Sequence, residues 1–248
     1  MPRRTATRTA RARTVRAGSA TRTSRVRASD LCVTGIAKAD ALLRRDGNAL
    51  LIGMLLDQQV PMEWAFSAPA LLAERLGGDP TAAAVAAVSP DALEELFRAK
   101  PALHRYPGSM ARRAHALALA VVEEYGGRTE AIWTGVGSGT ELLARIAGLP
   151  GFGRGKARIF VGVLGKRLGV RPTGWESVAA DWPSIADVDR YERVLEIREA
   201  KRAAKVAKAG AAVKPAAKTS AAKTSAAKKS AAKKSAATKA TAKKPAAR

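Results

Sequence analysis

The sequence predicts an all-α domain between two basic tails, and three observations predict it. Between residues 30 and 200 apolar side chains recur at helical spacing, and residues that cap or break helices bracket those stretches. Nowhere does a run alternate as a half-buried strand does. The third observation is charge. Residues 1–29 carry nine Arg and no acid, residues 201–248 carry fifteen Lys or Arg and no acid, and the net charge of +23 leaves residues 30–200 near −1. Segments so charged and so poor in large apolar residues cannot offset their ordering entropy, so both tails are expected to be disordered until they meet a polyanion.

The elements follow in order. Residues 1–29 form a flexible Arg-rich arm. Ala37 to Arg45 is a short helix stopped by Asp46-Gly47, after which Asn48 is expected to cap Ala49–Gln59, a segment apolar almost all round and therefore central. Pro61 separates it from a helix through Trp64, Phe66 and Leu72 that stops at Gly77-Gly78. Asp79-Pro80 and Ser89-Pro90 have the form of two helix starts, a capping side chain followed by Pro at the first helical position. Pro101–Gly108 is irregular; Ser109 is then expected to cap a long helix to Tyr125, closed by Gly126-Gly127. Glu141–Ala147 and Lys156–Leu168 are two further amphipathic helices, and Val170–Gly174 is extended. Ser184 with Asp187 has the spacing of a capping box opening a last helix through Val188, Tyr191, Val194 and Ile197. Beyond Arg202 the five-residue Ala-Ala-Lys-Thr/Lys-Ser unit does not match the helical period, so the repeats at 216–235 imply no packed array.

Composition excludes several classes. One cysteine, Cys32, rules out an internal disulfide, a thiolate zinc site and a four-cysteine iron–sulfur cluster. His104 and His115 are too few and too far apart to suggest a metal site. No apolar run reaches the roughly 18–20 residues that span a bilayer. The basic N-terminus lacks the apolar stretch of a secretory signal, although its Arg-rich composition is also that of an organelle transit peptide.

The sharpest motif is Leu149-Pro-Gly-Phe-Gly153, set between two helices. Pro150 blocks the first helix, Gly151 and Gly153 permit positive φ and close approach, and the second helix would aim its free N–H groups outward beside Arg154, Lys156 and Arg158. Such an end cradles phosphate. This Leu-Pro-Gly-hydrophobic-Gly turn resembles the helix-hairpin-helix motif. With the helices from about Asp40 to Trp182, it is similar to the DNA glycosylase superfamily that carries this motif (HhH-GPD), in a form lacking the cluster cysteines. The basic C-terminal tail resembles that of linker histones.

The resemblance implies double-stranded DNA as partner, with Leu149, Gly151, Phe152, Gly153, Arg154, Gly155, Lys156 and Arg158 at a phosphate. It also implies a monovalent cation, K⁺ or Na⁺, at the hairpin rather than a catalytic metal. Gln58-Gln59 resembles the Gln-Gln pair of adenine glycosylases and implies a wedge filling the gap left by an extruded nucleotide. Bifunctional relatives place a Lys two residues after the last hairpin Gly; that position here is Gly155, and Lys156 lies about 100° further round the helix. A monofunctional enzyme using water is therefore expected. Relatives also carry an Asp, often after Val, beyond the second helix. No Val-Asp pair falls in the expected loop, and counting from Gly169 places Glu176 there, with Asp181 in reserve; seven extended residues can return the chain to the hairpin. Trp175, Tyr106 and Trp182 are candidates to line a base pocket or to pack in the core.

The expected function is base excision by a monomeric DNA N-glycosylase, cytoplasmic and associated with the nucleoid. A catalytically silent architectural DNA binder and a protein-interaction domain with solubilising tails are the alternatives.

Overall fold

The computed structural model describes residues 31–213. The N-terminal arm and the repeats at 216–235 lie outside those residues. Among the described residues ten α-helices follow one another: α1 (Ala37–Arg45), α2 (Gly47–Leu56), α3 (Met62–Leu76), α4 (Ala82–Ala87), α5 (Pro90–Arg98), α6 (Pro107–Tyr125), α7 (Gly139–Gly148), α8 (Arg154–Arg167), α9 (Trp175–Val178) and α10 (Tyr191–Val213). Two 3₁₀ turns, Thr129–Ile132 and Ile185–Asp187, complete the set. No strand forms among the described residues; one isolated bridge joins Ser138 to Thr173. The all-α class is as the periodicity predicts. No described helix is long and apolar enough to cross a membrane.

The middle of the fold is α2. Leu50, Leu51, Ile52, Met54, Leu55 and Leu56 are all buried, and each contributes about 2 kcal/mol of transfer free energy. Helices α1, α3 and α6 pack around it, with α4 and α5 laid on α6. The pair α7 and α8 forms a second layer, covered by α9 and the Ile185–Asp187 turn.

Several expected caps moved. Asp46, not Asn48, caps α2, accepting from the Asn48 and Ala49 N–H groups at 2.8 and 3.0 Å. The Asn48 amide instead donates to the Pro80 carbonyl at 2.7 Å. Thr81 caps α4 in place of Asp79, whose carboxylate is held by Arg45 at 2.6 Å. Helix α6 begins at Pro107, so Ser109 lies inside its first turn. The Ser184–Asp187 capping box forms as its spacing predicts, but it opens the 3₁₀ turn rather than α10. Helix α10 carries the chain to Val213, thirteen residues past the expected domain boundary at 200.

Candidate nucleic-acid interface

The hairpin is built by burial on one side and exposure on the other. Leu149 and Phe152 are each 3% exposed, while Gly151, Gly153, Arg154 and Gly155 face outward. The Phe152 N–H donates to the Leu149 carbonyl at 3.0 Å, closing the turn, and the Phe152 ring meets Phe160 edge-on at 5.9 Å. Leu149 and Phe152 are therefore anchors, which corrects their expected place against DNA. Gly151 has φ +83°, and a Cβ there would stand 2.4 Å from Leu55 Cδ1. The bend is thus pressed onto the last turn of α2. No side chain caps α8 behind Gly153. Its leading N–H groups and positive dipole end open outward beside Arg154, an arrangement that suits a phosphate.

The chain leaving α2 divides its two glutamines. Gln58 is half-buried, and its amide donates to the Leu55 carbonyl at 2.9 Å and to Met110 Sδ at 3.2 Å, while Arg113 donates to its Oε1 at 3.3 Å. The Gln58 carbonyl accepts from His104 Nε2 at 3.1 Å, and His104 Nδ1 accepts from the Tyr106 N–H at 3.0 Å. Those two bonds fix a neutral imidazole protonated at Nε2. Burial pushes the His104 pKa down, in agreement. Gln58 is therefore clamped and unsuited to a wedge. Gln59 is exposed and holds φ +58°, the left-handed region that costs a non-glycine residue about 1 kcal/mol or more. Of the pair, Gln59 is the side chain available to enter a duplex.

Lys156 turns inward rather than toward solvent. Its ammonium donates to the Met54 and Leu55 carbonyls at 2.8 and 2.5 Å, satisfying the C-terminal end of α2. Burial pushes its pKa down to about 8, against the pull of Asp57; the Arg113 charge lowers it further. Its expected role at a phosphate is corrected by this engagement. Arg158 is also engaged, donating to the Val178 and Ala179 carbonyls at 3.3 and 2.9 Å and pairing with Asp181 at 3.2 Å, with its guanidinium 4.7 Å from the Trp182 ring centroid. Two residues apart on α8, Lys156 and Arg158 face nearly opposite sides of it. Asp181 and Trp182 therefore sit beside the hairpin on the side away from α2.

Glu176 does not come back to the hairpin. The segment meant to return is pinned at the start of α7, where the Gly139 N–H donates to the Thr173 carbonyl at 2.8 Å and the Thr173 N–H to Gly137 at 3.3 Å. A Cβ on Gly139 would lie 2.5 Å from Trp175 Cα, and one on Gly165 would lie 2.3 Å from the Trp175 ring. Trp175 is thus core, filling the far end of the α7–α8 pair, and not part of a base pocket. Glu176, exposed beside it, lies roughly 15 Å from the bend along α7. Its catalytic assignment is corrected on that ground. Tyr106 is 43% exposed, with its ring 6.0 Å from that of His104 and 5.2 Å from the Arg105 guanidinium, on the loop that touches Gln58. It remains next to the hairpin–α2 junction.

Two features of this junction escaped the sequence. Asp57, directly before the glutamine pair, is half-buried. Burial pushes its carboxyl above the usual range; Lys201 and Lys156 oppose that shift and Glu63 adds to it. His104, dismissed as a ligand, shapes the glutamine turn. A family model for HhH-GPD superfamily base excision DNA repair proteins matches residues 52–241, more than half of the chain. The chain belongs to this superfamily. The match begins within α2 of this HhH-GPD protein and spans the glutamine turn, the hairpin and α10. Base excision repair implies DNA binding, in keeping with the exposed hairpin. Neither a curated protein nor a solved structure matches the chain.

Proposed function

We propose that this HhH-GPD protein is a monofunctional DNA N-glycosylase that extrudes a damaged or mispaired base from duplex DNA and hydrolyses its bond to the sugar with water. The observation carrying this reading is the junction itself. An uncapped, outward-facing helix start is locked by Gly151 onto the α2 end, where Gln59 stands exposed in a strained conformation. The hairpin amides and Arg154 grip a phosphate, Gln59 fills the vacated stack, and Tyr106 with Arg105 borders the opening. Gly155 at the position of the lyase lysine, and the bonds that occupy Lys156, support hydrolysis over Schiff-base chemistry. The bend Leu149–Gly153 has no side-chain oxygen. A cation there would be held by backbone carbonyls, which suits K⁺ or Na⁺ better than a divalent metal. The protein acts as a monomer on duplex DNA, cytoplasmic and associated with the nucleoid, with its basic tails raising residence without choosing a lesion.

Single-turnover incubation of the full chain with a panel of damaged duplexes tests this. Base release leaving an intact abasic strand is expected. Tight duplex binding with no release from any lesion would instead favour an architectural DNA binder, a reading to which the displaced Glu176 and the basic tails lend weight.

A further inference from the structure

A cleft of about 500 Å³ opens at the other end of α2 from the hairpin, with Arg45, Asp46, Asp79, Thr81, Gly127 and Glu130 in its wall. Its charges do not balance. Arg45 is the one cation in the wall, and its guanidinium is committed to Asp79 through two hydrogen bonds of 2.6 and 3.1 Å. The exposed Glu130 carboxylate takes part in no ion pair or hydrogen bond found among the described residues. Asp46 is 9% exposed; its Oδ1 accepts from the Asn48 and Ala49 N–H groups, and its Oδ2 is buried with no partner among the described residues. Burial raises the Asp46 carboxyl above the usual range; those two N–H groups oppose the shift, and Asp79 and Glu130 add to it. Gly127 brings in the C-terminal end of α6, a nineteen-residue helix whose dipole adds negative potential. The cleft therefore attracts a cation that the described residues do not supply.

Among the described residues no three carboxylates, imidazoles or thiolates stand close enough to ligate a metal ion. An alkylammonium asks for less, since its three donors sit on a flexible stem and need no fixed coordination shell. Residues 214–248 carry ten Lys, one Arg and no acid, whereas residues 1–29 carry nine Arg and no Lys. The C-terminal segment is thus the one rich in ammonium groups. Its thirty-five residues can extend roughly 115 Å from Val213, several times the radius of gyration of roughly 16 Å expected for the folded part. Tethering also holds those lysines at a local concentration on the order of millimolar. We propose that this cleft docks a lysine of residues 214–248 of the same chain and holds it while no duplex is bound. The ammonium pairs with the Glu130 carboxylate, with Asp46 and the α6 end behind it. Duplex DNA competes for the same lysines, so docking lowers attachment to undamaged DNA, where phosphate contacts supply the binding. The docking stands whether or not the protein releases a base.

Carbodiimide coupling of the full chain, which joins a carboxylate to an amine in contact with it, tests this. Glu130 is expected to couple to lysines of residues 214–248 at a yield independent of protein concentration. That yield exceeds those of Asp91 and Glu95, also exposed but on α5, by roughly fivefold, and undamaged duplex suppresses it. Glu130→Gln raises affinity for undamaged duplex by about two- to fivefold, the scale of one solvent-exposed ion pair. Glu95→Gln, the same charge change on α5, does not. In a full-length chain whose ten tail lysines are replaced by glutamine, Glu130→Gln has no effect. Coupling spread evenly over Glu130, Asp91 and Glu95 overturns the proposal, because the tail is then held by diffuse attraction alone. So does an affinity gain in Glu130→Gln that survives loss of the lysines. A Glu130 that never couples to the tail, but that spermidine shields from coupling to glycine ethyl ester, gives the cleft to a free polyamine instead.

Discussion

Gln59 concentrates the cost of the site in a single residue. Its left-handed φ of +58° follows directly on Gln58, which is clamped by Leu55, Met110, Arg113 and His104. Replacing Gln59 with Gly is expected to raise unfolding free energy by about 0.5–1 kcal/mol while removing the side chain proposed as the wedge. Denaturant titration reads the gain. Fluorescence of a 2-aminopurine placed opposite the lesion reads the loss as weaker extrusion. Lys156 offers a second test, with a definite sign. Its folded pKa of about 8 lies below the ordinary 10.5, so the native state sheds the proton first and the unfolded state binds more protons between those values. Stability relative to Lys156→Gln should therefore rise with pH across that window, by on the order of 1–2 kcal/mol, and be lowest below it. Urea titrations of both proteins at pH 7 and pH 10 measure the difference. The sequence showed the Gln-Gln pair but not which member was free, because that depends on Met110 and His104, fifty and more residues away from the α2 end in one case and nearly so in the other.

Among the elements, the hairpin was the most legible and the loop after α8 the least. Pro150, Gly151 and Gly153 dictate a bend whatever surrounds them, and the bend formed. Which of its faces is buried was decided by Leu149 and Phe152 packing inward, a choice their apolar character announces in hindsight. Gly151→Ala would place a methyl group against Leu55 at a positive φ, so about 1–3 kcal/mol of stability and most duplex affinity should be lost. Thermal melts and duplex titration measure both; an unaffected affinity would detach the bend from DNA. The caps fared unevenly for a physical reason. Ser89 serves α5 because nothing else competes for it, whereas Asp79 is taken by Arg45 and Asn48 by Pro80. The loop carrying Glu176 was misplaced because reach alone does not set direction. A bridge between Ser138 and Thr173, thirty-five residues apart, decided it.

At the scale of the whole molecule, charge is divided by function. The folded centre is close to neutral, and residues 1–29 and 201–248 hold the excess. Removing residues 214–248 deletes eleven positive charges. The slope of log affinity against log salt should then fall by about 0.9 for each phosphate that the shortened chain no longer neutralises, while the ratio of lesion to undamaged affinity stays constant. Fluorescence anisotropy across a salt series checks both. The class of the fold and its Pro-Gly bend were open to reading from local pattern. The half-burial of Asp57 was not, since it depends on α10 lying against the α2–α3 turn. The most direct measurement is single-turnover base release by the full chain on damaged duplexes. Release that leaves an abasic strand, with no adduct trapped on the protein by sodium borohydride, is expected. Duplex binding without release, or a borohydride-trapped adduct through Lys156, would contradict hydrolysis at this junction.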